Sequence, residues 1–184
     1  MSMAAHWISF WGLQQPGIEF MAQENLPGRD LAWSGIYFYG KLVTSFARQR
    51  LEYLYPHLTP TGLTGTPTIA QIVHDEEVNA TAEAAVRSVT EAPHGIMSVD
   101  LREDYNGIPR PTEINAGRSF TTMGLWSLWD DEHNFTEIAA ALAMVGAEGK
   151  QIIHMGQEWQ QRDALPEGLI LTRHIDCGYQ MRLP

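Results

Sequence analysis

Asn106-Gly107 stands midway between Asp100 and Glu113, between strand-like flanks in the segment 98–118, and this dipeptide limits the local fold more than any other feature of the chain. Both residues tolerate the positive φ that a two-residue hairpin turn requires, so the spacing predicts antiparallel strands with Tyr105 paired to Ile108. Counting outward in that register sets Asp100 opposite Glu113 and Ser98 opposite Asn115. Their side chains then share one polar face. The other face carries Val99, Leu101 and Ile114, with a Glu103 and Arg110 pair nearer the turn, and it can pack on a core. Directly opposed carboxylates repel one another in a sheet. A divalent cation held by oxygen ligands is the usual reason for such a pair; an ordinary exposed acidic pair is the competing reading, and Asn115 alone could cap the loop that follows.

The rest of the chain alternates strand and helix signals. Residues 31–39 and 42–54 are rich in aromatic and branched side chains and flank Gly40-Lys41, which predicts a second hairpin. Residues 56–67 form a loop with glycines at 62 and 65, placed there for turns or for close approach to a ligand. A short strand is predicted over 68–73. Asp75 is then placed to cap a helix with Glu76 and Glu77 in its first turn and Val78, Ala82, Ala85, Val86 and Val89 on its apolar positions. Asn134 followed by Glu137 three residues on predicts a capping box and a helix to about 145. Residues 168–183 read as a strand and turn. The expected fold class is α+β, an antiparallel sheet with packed helices.

At 184 residues and 44% hydrophobic content, one domain with a proper core is expected. The net charge of −10 argues against a nucleic-acid partner, since phosphate binding needs excess lysine and arginine. It would repel free nucleotide at long range, although magnesium and a few arginines can reverse the field locally. The single cysteine, Cys177, excludes an internal disulfide and suits a reducing, cytoplasmic compartment. No signal peptide is read. The apolar run 7–11 lacks a basic flank and is too short to span a bilayer, so no membrane partner is expected and a buried strand or subunit contact is predicted there. His133 beside Asp130, Asp131 and Glu132, and His74 beside Asp75, Glu76 and Glu77, read as solvated helix caps. His94, His154 and His174 have no neighbour at metal-ligand spacing. Arg48 and Arg50 share a face of their strand by its period of two, where they reach a phosphate or pair with carboxylates.

The segment SVDLREDYNGIPRPTEINAGRSFTT, an aspartate, a short hairpin, then E-I-N followed by a glycine and an arginine, resembles the C-terminal metal-binding signature of the ATP-grasp superfamily. The upstream segment FMAQENLPGRDLAWSGIYFYGKLVTSFARQR is similar to that superfamily's hinge strand and the hairpin after it. The resemblance covers about residues 18–128 and implies an ATP-grasp C-terminal subdomain. It implies that Asp100, Glu113 and Asn115 ligate Mg2+, that Gln23, Glu24, Asn25 and Leu26 form the hinge along the adenine, and that Asp30 replaces the usual ribose-binding glutamate. Arg118, displaced by Gly117 from the usual position, is implied at the phosphates together with Arg48.

By the same resemblance the activity is that of a carboxylate-amine ligase or a carbamoyl phosphate synthetase large chain: ATP activates a small carboxylate as an acylphosphate, which an amine or similar nucleophile attacks. The superfamily's first subdomain brings lysines to the phosphates. This sequence has two lysines, Lys41 and Lys150, and neither falls at such a position. Residues 1–17 are therefore expected to be a remnant or partner contact, 18–128 the metal and nucleotide subdomain, and 129–184 its extension. A second chain or self-association is expected to cover Trp7, Phe10, Trp11 and Phe20. The rival from another class is a non-catalytic binding or structural subunit, or a truncated remnant. A hydrolase using Asp100 and Glu113 as acid and base is a third reading.

Overall fold

The computed structural model describes residues 3–59, 62–65, 67–117, 123–129, 134–145, 161–174 and 178–184. The chain runs α1 (Met3–Gln14), β1 (Asp30–Phe38), β2 (Lys41–Tyr53), β3 (Pro67–Val73), α2 (Glu76–Val89), β4 (Gly95–Glu103), β5 (Pro109–Ala116), α3 (Met123–Trp126), α4 (Phe135–Val145), β6 (Ile170–His174) and β7 (Gly178–Arg182). The seven strands form one sheet in the order β5-β4-β1-β2-β3-β6-β7, with every pairing antiparallel. This is the α+β architecture that the sequence predicts.

Both faces of the central strands are covered, which explains why β1 is buried almost throughout. On one face Val78, Ala82 and Val86 of α2 pack on Leu31, Trp33, Tyr37, Ala47, Val99 and Leu101. On the other, Trp126, Phe135 and Leu142 of α3 and α4 join Ile36, Phe46, Ile72, Leu165 and Leu169. The second cluster covers only part of its face. Toward the opposite end of the strands the same face turns charged.

α2 begins as predicted: the Asp75 carboxylate accepts hydrogen bonds from the backbone N–H groups of Glu77 (3.1 Å) and Val78 (3.2 Å). It also pairs with Arg29 at 2.7 Å. Burial pushes its pKa up, but Arg29 and the two N–H groups outweigh that and leave it below the usual carboxylate value. A depressed folded-state pKa gives stability that is present above the unfolded value and lost as pH falls through the folded one. Asp75→Ala is expected to lower unfolding free energy by about 1–2 kcal/mol at neutral pH. The difference from the parent should shrink below about pH 4 in denaturation curves. Val89, expected on the apolar face, is exposed at the helix end instead.

Three expectations are corrected. Residues 7–11 lie in α1, a helix and not a buried strand, with Trp7 stacked on Trp11, Phe10 edge-on to both, and all three exposed. Trp7 and Trp11 are four apart, so one helical face brings them together. The β1–β2 turn is Tyr39-Gly40, both at positive φ, with Phe38 opposite Lys41. Residues 18–27, compared above with a hinge strand, have no regular secondary structure. Arg118, His133 with Asp130 to Glu132, Lys150, His154 and Cys177 lie outside the described residues. Among the described residues no helix is long and apolar enough to cross a membrane.

Candidate functional site

The β4–β5 hairpin sets Asp100 opposite Glu113 and Ser98 opposite Asn115, the predicted register. It reaches that register by a different route. The turn is Tyr105-Asn106-Gly107, with Asp104 facing Ile108 and bonded to it (Asp104 N to Ile108 O, 3.0 Å), and Gly107 at φ +78°. This is a three-residue loop closed by a glycine in the left-handed region. The Asp104 carboxylate organises it by accepting from the N–H groups of Asn106 and Ile108. Such a loop shifts the pairing by one residue, and an extra residue at Thr112 shifts it back between Leu101 and Asp100. The Thr112 hydroxyl donates to the Asp100 carbonyl at 3.1 Å across that bulge. The expected Tyr105–Ile108 pair is therefore absent, and so is the Glu103–Arg110 pair. Glu103 accepts from Arg29 Nε at 2.7 Å, and Arg110 donates to Asp104 at 2.8 Å.

Three transverse rows of side chains cross the sheet on the face shared with α3 and α4. One runs Arg102, Asp30, Arg50; the next Glu113, Asp100, Ala32, Arg48; the third Asn115, Ser98, Ser34, Phe46. Small residues in β1 let side chains from β2 and β4 meet over it. Arg50 spans that gap, donating through Nη2 to Asp100 at 2.6 Å and through Nη1 to Asp30 at 3.1 Å. The second Asp30 oxygen accepts from the Tyr53 hydroxyl and lies 3.5 Å from Arg102 Nη1. Arg102 Nε also donates to the Leu26 carbonyl at 2.7 Å, tying residues 18–27 to the sheet. Arg48 is fully buried, donates to Ser34 Oγ at 3.2 Å and lies over the Phe46 ring.

Burial governs the electrostatics here. The Asp100 pKa is raised above the ordinary carboxylate value by desolvation, with Arg50 and Arg48 opposing and Glu113 adding to the rise. Burial, then the like charge of Arg50, pulls the Arg48 pKa below the usual guanidinium range. Desolvation and the bond to Asp30 push the Tyr53 hydroxyl up, so it stays protonated and donates. A cavity of about 410 Å³ opens beside this network, lined by Arg29, Asp30, Arg50, Tyr53, Leu63 and Arg102 among others.

The structure thus brings together Asp30, Arg48, Asp100, Glu113 and Asn115 from the residues predicted, with Leu26 at the margin. Gln23 and Glu24 are exposed. Two contributors were missed. Arg102 was legible, two residues from Asp100 on the same face. Tyr53 was not, since strict alternation from Arg50 points it to the opposite face; an irregularity in the β2–β3 pairing between Arg50 and Glu52 turns it back.

Two carboxylates and an amide on one face supply the hard oxygen donors that magnesium takes, so the residues present fit that ion. Among the described residues no group of three His, Cys, Asp or Glu side chains is placed to hold a metal, so the amide of Asn115 is needed to complete the set.

The architecture and the site define an α+β protein with an acidic and arginine-rich face at one end of an antiparallel sheet. No family model matches the sequence, and no curated protein matches it. Among solved structures the chain is similar to an L-amino acid ligase from Bacillus licheniformis, with a TM-score of 0.48 and 12% identity. The similarity covers 80% of this chain and 35% of the ligase, so the chain spans about a third of that protein's length. Identity this low carries no residue correspondence from the ligase to this chain.

Proposed function

We propose that this chain is the Mg2+- and ATP-binding part of an ATP-grasp ligase that activates a small carboxylate as an acylphosphate. The observation that carries the reading is the directly opposed Asp100 and Glu113, with Asn115 two residues on, beside arginines on the same sheet face. Magnesium held there supplies charge neutralisation for the phosphoryl group in transfer. Arg118 orients the phosphates, residues 23–26 with Asp30 receive the adenine and ribose, and Arg48, fully buried, contributes its charge to the site without touching the ligand. Arg102 fixes the Leu26 carbonyl and so holds that segment against the site.

In the reaction, a carboxylate oxygen attacks the γ-phosphorus while the bond to the bridging oxygen of ADP breaks. The amine nitrogen then attacks the acyl carbon, phosphate leaves, and the nitrogen gives up a proton. Positioning and preorganised charge do most of this work. A second chain or a second copy would bring the lysines. Lys41 sits in the β1–β2 hairpin, at the opposite end of β1 from Asp30, and this favours as a second reading a binding subunit without turnover.

Calorimetric titration with ADP and magnesium tests the proposal. The expected result is magnesium-dependent binding that Glu113→Ala removes. Two folded proteins that both fail to bind would overturn it.

A further inference from the structure

Arg50 occupies the position from which a cation would serve Asp100. Its Nη2 lies 2.6 Å from one Asp100 oxygen, and its Nη1 reaches Asp30 at 3.1 Å. The arginine side chain is only 14% exposed, with Asp30 and Asp100 at 15% and 20%. In such surroundings the guanidinium is a strong competitor for the carboxylate, since a charge-assisted bond partly shielded from water resists replacement.

The far side of this pair is anchored. Asp30 is held by the Tyr53 hydroxyl and lies beside Arg102 Nη1. Arg50 can therefore let go of Asp100 while its other nitrogen stays with Asp30. Only the Asp100 arm has an incoming competitor, because Glu113 and Asn115 flank that carboxylate and not Asp30.

We propose that Arg50 is an internal placeholder cation that locks the metal ligand Asp100 until magnesium displaces it, with Asp30 and Tyr53 retaining the released arginine at the site. This rests on the assignment of Asp100, Glu113 and Asn115 as the metal ligands. The lock sets a threshold for metal: the ion must replace the Nη2 bond to Asp100, while Nη1 stays on Asp30, before it gains the carboxylate. Arg50 is thereby a positioning residue for the metal site.

The test is binding of Mn2+ alone, without nucleotide, followed by electron paramagnetic resonance in the full chain. The variants are Arg50→Gln, Arg50→Lys and, as a control on the ligand assignment, Glu113→Gln. Removing one charge-assisted bond corresponds to about a tenfold change in affinity, so both Arg50 variants are expected to bind Mn2+ roughly tenfold tighter than the parent. The lysine variant separates a lock from simple repulsion between cations. It keeps the charge and loses the forked two-point hold. It also keeps the aliphatic stem, which safeguards the fold if glutamine disrupts it.

Unchanged or weaker Mn2+ binding in Arg50→Lys, with binding lost in Glu113→Gln, overturns the lock and leaves the ligand assignment standing. No Mn2+ binding to the parent or to either Arg50 variant, all folded, overturns both.

Discussion

Asp100→Asn is expected to weaken magnesium-dependent ADP binding on the order of 100-fold, since one of two ligating carboxylates is lost, without lowering the stability of the fold at neutral pH. The second half of that expectation follows from the raised pKa. A carboxyl whose folded-state pKa lies above its unfolded value binds more protons folded than unfolded between the two. Stability therefore falls as pH rises through that window and stays lower above it. The ionised Asp100 is a cost that the metal-free fold bears, and asparagine mimics the protonated form. Opposing this, asparagine gives up the charge-assisted bond to Arg50. Because the net shift of Asp100 is upward even with Arg50 counted, the sum favours the variant. Urea unfolding at several pH values, with ADP titration at neutral pH, measures both effects. The difference in stability between the two proteins should move in favour of the variant as pH rises through that window.

A large loss of stability is expected instead from the opposite face of the neighbouring strand β1. Trp33 is fully buried, packs in the α2 cluster, and donates from Nε1 to the Asn79 side chain at 3.1 Å. Asn79 in turn donates to the Asp163 carboxylate at 3.0 Å, so the tryptophan links α2 and residue 163 to the sheet. Its ring lies over Gly35, where a built Cβ would come within 2.2 Å of the ring. No side chain is available at 35 to collapse into the space the tryptophan leaves. Trp33→Ala is expected to lower unfolding free energy by about 3–5 kcal/mol, near the upper end for core truncations, because a cavity arises together with a buried Asn79 amide oxygen that has lost its donor. Chemical denaturation should show the loss as a lower midpoint with an unchanged slope. Trp33→Phe, which keeps most of the ring volume, should recover a large part of it.

How much of this was legible in the sequence differs from element to element, for physical reasons. The strands, α2 with its Asp75 cap and α4 with Asn134 bonded to the Glu137 N–H could be read because periodicity and capping are local signals. The Asp100 and Glu113 pairing was also legible, but only because two irregularities cancel. The three-residue loop displaces the register and the bulge at Thr112 restores it, and neither leaves a mark in an alternating pattern. Arg50 could be placed on the right face by alternation. Its choice of Asp30 and Asp100 as partners could not, because those residues come from strands assembled by long-range pairing. Residues 7–11 were misread because a short apolar run has no period that separates strand from helix.

The order β4-β1-β2 has a consequence for when the site comes into being. Arg50 and Asp100 are fifty residues apart in the chain and meet only across β1, so both flanking pairings must be in register before they touch. A slip of one residue at either seam would send one of the pair to the α2 face. Contacts of such sequence separation form late, because the intervening chain must first be ordered. An incompletely folded molecule therefore presents no site at all. Occupancy of this face by a cation would report that β5, β4, β1 and β2 have paired in register.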